Sequence, residues 1–284
     1  MSTPAYGTND VGGASNVCYR HPNRPSFVLC QRCGRTICPD CQTPAAVGFH
    51  CPECVAEARA TAPRLKPRLV SRARTMSRDG SPIVTYSIIG VTFFVFVLQL
   101  VFGGLIEQYL VYRPVLTALE PWTMIMSLLA HASILHILSN MFSLFIFGRI
   151  LEPAIGRWRF LALYLISGLG GSVAVLLLAP GGGVLGASGA IFGLLGAFFV
   201  IQRRLGGNNG QIIILIVLNL SIGFIVPSIS WQAHVGGLIV GVVAALILVN
   251  TRARRQRHMQ IGLLVVLTVA LIAATAVGYN AAFG

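Results

Sequence analysis

The chain has 284 residues, 55% of them hydrophobic and 10% charged, with a formal net charge of +13 and a mean hydropathy of +0.76. Soluble domains carry about 25% charged residues, so this composition excludes an ordinary soluble globular protein and calls for a lipid solvent. The positive charge does not mark a nucleic-acid binder: eleven of the 21 basic residues precede position 80, and nine of the other ten stand in three short clusters between apolar runs, as they do in cytoplasmic loops of membrane proteins.

Residues 1–16 are small and polar and read as a disordered start. Residues 17–58 hold all seven cysteines, in the pairs Cys18-x2-His21, Cys30-x2-Cys33, Cys38-x2-Cys41 and Cys51-x2-Cys54. A two-residue gap lets both members of a pair turn onto one ion, and four pairs supply the eight ligands that two tetrahedral zinc ions need. His50, beside Cys51, is a candidate substitute ligand. No apolar leader is visible before residue 80, so the N-terminus is expected in the cytosol, where thiols stay reduced and disulfides are disfavoured. A module this small has too little core to fold alone, and metal would supply its stability. Residues 59–80 contain seven Arg/Lys and two prolines, a basic linker suited to lie near anionic headgroups.

Seven apolar runs follow, near 83–103, 126–148, 158–179, 187–203, 211–227, 231–249 and 261–282, against the roughly 20 residues that span a bilayer as helix. Arg149, Arg157 and Arg159 separate spans two and three, Arg203 and Arg204 follow span four, and Arg252, Arg254, Arg255 and Arg257 follow span six. All fall on the side of the basic linker, whereas the opposite loops carry Arg113 balanced by Glu107 and Glu120. The positive-inside rule then puts the N-terminus in the cytoplasm and the C-terminus outside. The fold class is an all-α polytopic membrane protein.

Ionisable and polar side chains inside spans are costly and therefore functional candidates. Span two holds His131, His136 and Asn140, span four Ser188 and span six His234. Counting about 1.5 Å per helical residue from the cytoplasmic arginines puts Ser188 roughly 24 Å, His234 about 27 Å and His136 about 20 Å from the inner face. All three occupy one layer of a hydrocarbon core about 30 Å thick. Ser188 follows the glycine-rich run 181–186, so a loop enters the membrane and turns into helix near the serine, whose unpaired backbone N–H groups would favour an oxyanion. The plainer alternative makes Ser188 a helix N-cap. His234 shifts the balance, because Gly237 and Gly241 follow it four residues apart, the same interval that separates Gly189 and Gly193 after Ser188, and small residues four apart let two helices approach closely. A serine beside an imidazole is a minimal activated nucleophile. No carboxylate lies at this depth, since the nearest acid after Glu120 is Glu152 at the inner face, so a dyad fits better than a triad. His136 and Asn140 share a helix face and could complete an oxyanion hole, while His131 reads as structural.

These residues resemble the rhomboid family of intramembrane serine proteases over 83–250. His131 to Asn140 is similar to its HxxxxHxxxN segment, Gly186-Ala187-Ser188-Gly189 to its GxSG motif, and Ala233-His234-Val235-Gly236-Gly237 with Gly241 to its AHxxGxxxG helix. Gly148 to Glu152, with Gly156 and Arg159-Phe160, resembles the loop after its second span. The resemblance implies a six-helix core, here with a seventh C-terminal helix at 261–282, and a Ser188/His234 dyad with His136, Asn140 and the Ser188 amide lining the oxyanion hole. It implies transmembrane protein substrates cut within the bilayer, with no cofactor for catalysis. Two departures stand out: Trp122-Thr123 replaces a Trp-Arg pair, and Phe192 replaces an aromatic that is often Tyr. The cysteine module resembles B-box and related cross-braced zinc fingers, which implies that pairs one and three share one zinc, pairs two and four the other, and that a cytosolic protein is its partner. The expected setting is a bacterial cell membrane. Two competing functions are a catalytically silent rhomboid-like protein that binds partners or lipid, and a transporter, the latter weakened by the lack of a membrane-embedded acid.

Overall fold

The computed structural model describes residues 16–45, 47–61, 81–207, 209–226 and 228–284. The expected disordered start and most of the basic linker lie outside the described residues. The chain divides into two compact units, 1–71 and 72–284.

In the first unit, β1 (Val17–Cys18) pairs antiparallel with β2 (His21–Pro25), β3 (Thr43–Pro44) pairs with β4 (Phe49–His50), and α1 spans Pro52–Thr61. Its interior consists of Ile37 and six buried cysteines. One isoleucine and a handful of thiols bury far too little apolar surface to hold a domain of this size.

The second unit is a helical bundle. Helices α2 (Ile83–Phe102), α5 (Ile134–Ile155), α6 (Arg157–Leu178), α9 (Trp231–Asn250) and α10 (Arg257–Phe283) are long and apolar enough to cross a membrane. Between α2 and α5 lie two short helices, α3 (Gly104–Leu110) and α4 (Thr123–Met126). Helices α7 (Ser188–Arg204) and α8 (Gly210–Ile225) are shorter, as their sequences require. Large apolar side chains such as Phe94, Leu135, Ile214 and Val266 point outward with 60% or more of their surface exposed, an arrangement suited to lipid and unsuited to water.

Two expected boundaries move. Span two starts at Ile134 rather than 126, because the Ser133 hydroxyl caps the helix by accepting the His136 N–H. Its far end passes Arg149 and reaches Ile155, where Gly156 at φ 92° ends it. His131 therefore precedes the spanning helix instead of lying in it. The longer helix also changes the count for His136, which stands 19 residues before Ile155, or about 28 Å from the helix end, against the roughly 20 Å counted from Arg149. Glu152 lies in the last turns of this helix, at the end where α2 begins. It is 1% exposed, and its carboxylate accepts the N–H groups of Val84 and Thr85 at 2.9 and 2.7 Å and the Thr85 hydroxyl at 2.7 Å. Those are orphan donors of the first turn of α2, satisfied by a charged acceptor at the positive end of the helix.

Helix α7 is the axis of the bundle, with Ala190, Leu194 and Ala197 fully buried. On one side a Cβ at Gly193 would meet the Ser167 side chain of α6, and on the other it would stand 3.0 Å from the Gly237 carbonyl oxygen of α9. Lipid gives helices no hydrophobic reason to associate, so backbones in near contact gain through dispersion what water would otherwise supply. Helix α10 is keyed to the core at one end by Gln260, which accepts from Arg159 at 2.6 Å and donates to the Leu248 and Thr251 carbonyls.

Candidate active site

Three backbone devices set the entry to α7. Tyr112 and Val184 exchange two backbone hydrogen bonds, of 3.0 and 2.9 Å, tying the glycine-rich loop to the first outer loop. Gly186 then donates to the Ser127 carbonyl at 2.8 Å and turns the chain at φ 116°, a conformation open to glycine and strained for other residues. A Cβ there would also strike the His136 ring at 2.7 Å. The N-cap position falls to Ala187 with no side-chain cap, so Ser188 is the first helical residue and its hydroxyl is not spent on capping.

His234 sits in the first turn of α9, which Ser230 caps by accepting the Ala233 N–H at 3.3 Å. Its ring lies parallel to Phe192 of α7, with centroids 4.2 Å apart and planes 16° from parallel. Gly237 meets the Gly189 carbonyl and Gly241 meets the Gly193 backbone, so α7 and α9 are in backbone contact on the face that carries both Ser188 and His234. Buried His234 Nδ1 has no hydrogen-bond partner among the described residues. The Phe192 stack is therefore the contact that orients the ring.

His136 and Asn140 project from α5 one turn apart. Asn140 is buried and donates one amide proton to the His136 carbonyl at 2.9 Å, which leaves its second amide proton free. His131 stands edge-on to His136, with centroids 4.9 Å apart and planes at 66°. Its backbone is clamped by Gln99 of α2, through His131 N to Oε1 at 3.0 Å and Nε2 to the His131 carbonyl at 3.4 Å. Ser188, His234, His136, Asn140 and Phe192 line one cavity of about 1190 Å³, whose walls also include Phe142, Leu215 and Trp231. His131 and the glycines Gly186, Gly189, Gly237 and Gly241 support it from behind without lining it. Of the two departures, Phe192 keeps the aromatic stack, while Thr123 is buried and donates to the Glu120 carbonyl at 2.6 Å.

Sequence reasoning did not single out Gln99 and Gln260. Both are nearly fully buried; Gln99 is an isolated amide in an apolar run, a signal that would have found it, whereas Gln260 directly precedes the last run beside basic residues, where nothing local marks it.

The cysteine unit gathers two donor sets, Cys18, His21, Cys38, Cys41 and Cys30, Cys33, Cys51, Cys54, with the donor atoms of each set within 4.8 Å of one another. His50 belongs to neither. All seven thiols are free. The Cys33 and Cys51 sulfurs are 3.7 Å apart, and His21 Nδ1 is 3.4 to 3.7 Å from the sulfurs of Cys18, Cys38 and Cys41. Tetrahedral bonds of about 2.3 Å to sulfur and 2.0 Å to nitrogen require edges of roughly 3.8 and 3.5 Å, so both sets fit a four-coordinate ion. Burial pushes the Cys18 thiol up, yet backbone N–H groups of Cys38 and Arg20 bring it down to about 6. Cys30 is likewise held at about 6 against burial by N–H groups of Cys51 and Arg32. Burial and neighbouring sulfurs push Cys41 up to about 11 and Cys54 to about 12.

Known proteins extend this picture. The Rhomboid domain profile matches residues 118–251. Rhomboid protease GluP of Bacillus subtilis (strain 168) is 34% identical over 182 residues, 59% of this chain and 35% of GluP. RHOMBOID-like protein 5 of Arabidopsis thaliana is 41% identical over 138 residues, 45% of this chain and 44% of that protein. The chain thus spans less than half the length of either relative. YdcA of Bacillus subtilis (strain 168), provisionally named a rhomboid protease, is 37% identical over 142 residues that make up 48% of this chain and 71% of YdcA. A multi-pass helical bundle, a serine and a histidine on helices in backbone contact, and similarity across most of a whole relative agree: the chain belongs to the rhomboid family, whose members are intramembrane serine proteases.

Proposed function

We propose that this chain is an intramembrane serine endopeptidase that cuts transmembrane segments of other proteins with Ser188 as nucleophile and His234 as general base. The observation that carries the reading is the joint between α7 and α9, where Gly237 meets Gly189 and Phe192 stacks on His234 at 4.2 Å. It holds an imidazole against the helix start that bears Ser188. His234 takes the Ser188 proton as Oγ attacks the scissile carbonyl, then gives it to the departing amine nitrogen, so the C–N bond breaks and an acyl-enzyme remains. Water, deprotonated by His234, hydrolyses that ester and restores Ser188. The oxyanion of each tetrahedral intermediate would be met by the Ser188 N–H, His136 and the free amide proton of Asn140. A cavity of about 1190 Å³ exceeds the roughly 300–1,000 Å³ of small-molecule sites and suits an unwound stretch of polypeptide.

The cytoplasmic ends follow from the same proposal. Arg159 bonds Gln260 and Arg204 bonds Asn250, so basic residues of α6 and α7 gather with the ends of α9 and α10, and that end faces the cytoplasm of a bacterial cell. The N-terminal unit then holds two structural zinc ions in the cytosol and recruits a protein partner, with no part in the chemistry.

The test is labelling of the purified chain by a fluorophosphonate probe. Wild type should label, and Ser188→Ala and His234→Ala should not. Equal labelling of wild type and Ser188→Ala would overturn the dyad and favour the catalytically silent alternative.

A further inference from the structure

At the end of the bundle opposite the arginine clusters there is a second pocket, of about 440 Å³, between the first outer loop, the glycine-rich loop and the last turn of α10. Val111, Val115, Pro180 and Phe283 give it apolar walls, and Arg113 stands in it beside the backbone of Gly183. The Arg113 stem runs along that loop, its Cγ 3.9 Å from where a Gly183 Cβ would sit. The guanidinium has no ion-pair or hydrogen-bond partner among the described residues, although Glu107 and Glu120 share the same outer loop. Apolar surface stays uncovered in the wall and just before Pro180, with Val115 and Leu177 52% exposed and Leu178 57% exposed.

A cation left unpaired over apolar walls, at the end of a membrane-spanning bundle, matches a molecule with an anionic head and hydrocarbon tails. We propose that this pocket binds a phospholipid of net negative charge, its phosphate on Arg113 and one acyl chain along the apolar surface beside Leu177 and Leu178. Guanidinium offers several donors in a planar fork suited to phosphate. The site has a lever on the chain it touches. Gly183 lies five residues before Ser188, and α10 already reaches the outer loop through the Tyr279 hydroxyl, which donates to the Val115 carbonyl at 3.4 Å. A lipid seated there braces the loop that leads to Ser188. Binding itself does not depend on the proteolytic reading.

The experiment is native mass spectrometry of the purified full chain titrated with phosphatidylglycerol and, separately, phosphatidylcholine, comparing wild type, Arg113→Gln and Arg113→Lys. One basic residue near a headgroup is worth about fivefold in affinity for an anionic lipid. Arg113→Gln should weaken phosphatidylglycerol binding by about that factor and leave phosphatidylcholine unchanged, with Arg113→Lys in between. Should Arg113→Gln not fold, the Arg113→Lys comparison between the two lipids still decides. Identical phosphatidylglycerol binding by wild type and variants would overturn the proposal. So would glycerol 3-phosphate binding as tightly as the lipid, which would make this a site for free phosphate.

Discussion

Substituting Gly237 by alanine tests the α7–α9 joint most directly. The new methyl would lie 2.6 Å from the Gly189 carbonyl carbon and 3.0 Å from its Cα, with the carbonyl oxygen closer still. Carbon atoms pack at about 3.5–4.0 Å, so relief requires α9 to move from α7 by roughly 1 Å. Neither side can yield by a rotamer change, because the obstacle is helix backbone. Overpacking of this kind costs about 1–3 kcal/mol of stability, and a displacement of about 1 Å between reacting groups costs on the order of 100-fold in rate. The control is Gly90→Ala on α2, where a Cβ meets nothing within 4 Å. Second-order fluorophosphonate labelling rates and thermal unfolding in micelles should both fall for Gly237→Ala and stay level for Gly90→Ala. Wild-type labelling by a stably folded Gly237→Ala chain would refute the claim that this contact sets the serine–histidine geometry.

Glu152→Gln replaces a buried acceptor with an amide that must turn at least one donor toward the N–H groups of Val84 and Thr85. Losing charge-assisted bonds in a buried site costs roughly 1.5–3 kcal/mol, so thermal unfolding should shift down measurably, and an unchanged midpoint would contradict the capping role. The cysteine unit should hold two zinc ions per chain by elemental analysis. Its affinity should rise with pH, because Cys41 and Cys54, at about 11 and 12, must release protons to the ion. It should collapse below the values of about 6 at which Cys18 and Cys30 also protonate. Zinc affinity that stays flat from about pH 5 to about pH 8 would rule that thiolate chemistry out.

Much of the bundle is legible in the sequence because spanning helices carry one strong local signal, a run of apolar residues long enough for a bilayer. What escapes is decided by tertiary contact. The start of α5 depends on a single hydroxyl, Ser133, placed as a cap, and hydropathy cannot see it inside a longer apolar stretch. The burial of Glu152 depends on the distant first turn of α2, 67 residues away. The outer loop folds into α3, α4 and two 3-10 turns around Tyr112 and Met124, a small core built from residues far apart in the chain. The glycine spacing of α7 and α9 was readable as a contact surface. The stack of Phe192 on His234 and the clamp of Gln99 on His131 were not, since each joins different helices. The cysteine knuckles are local and visible, whereas spacing alone leaves their pairing across the unit open.

That pairing has a consequence for how the N-terminal unit behaves as matter. One donor set closes the chain from residue 18 to 41 and the other from 30 to 54, so the two loops overlap like links of a chain. With both sets loaded, an ion leaving either one would loosen a segment that contains ligands of the other. Loss of metal should therefore be all-or-none, and cutting the chain after Cys41 would spare every ligand of the first set while destroying the second. A unit whose interior is mostly sulfur would then behave as a single switch, folded or open, with no stable half-loaded form between.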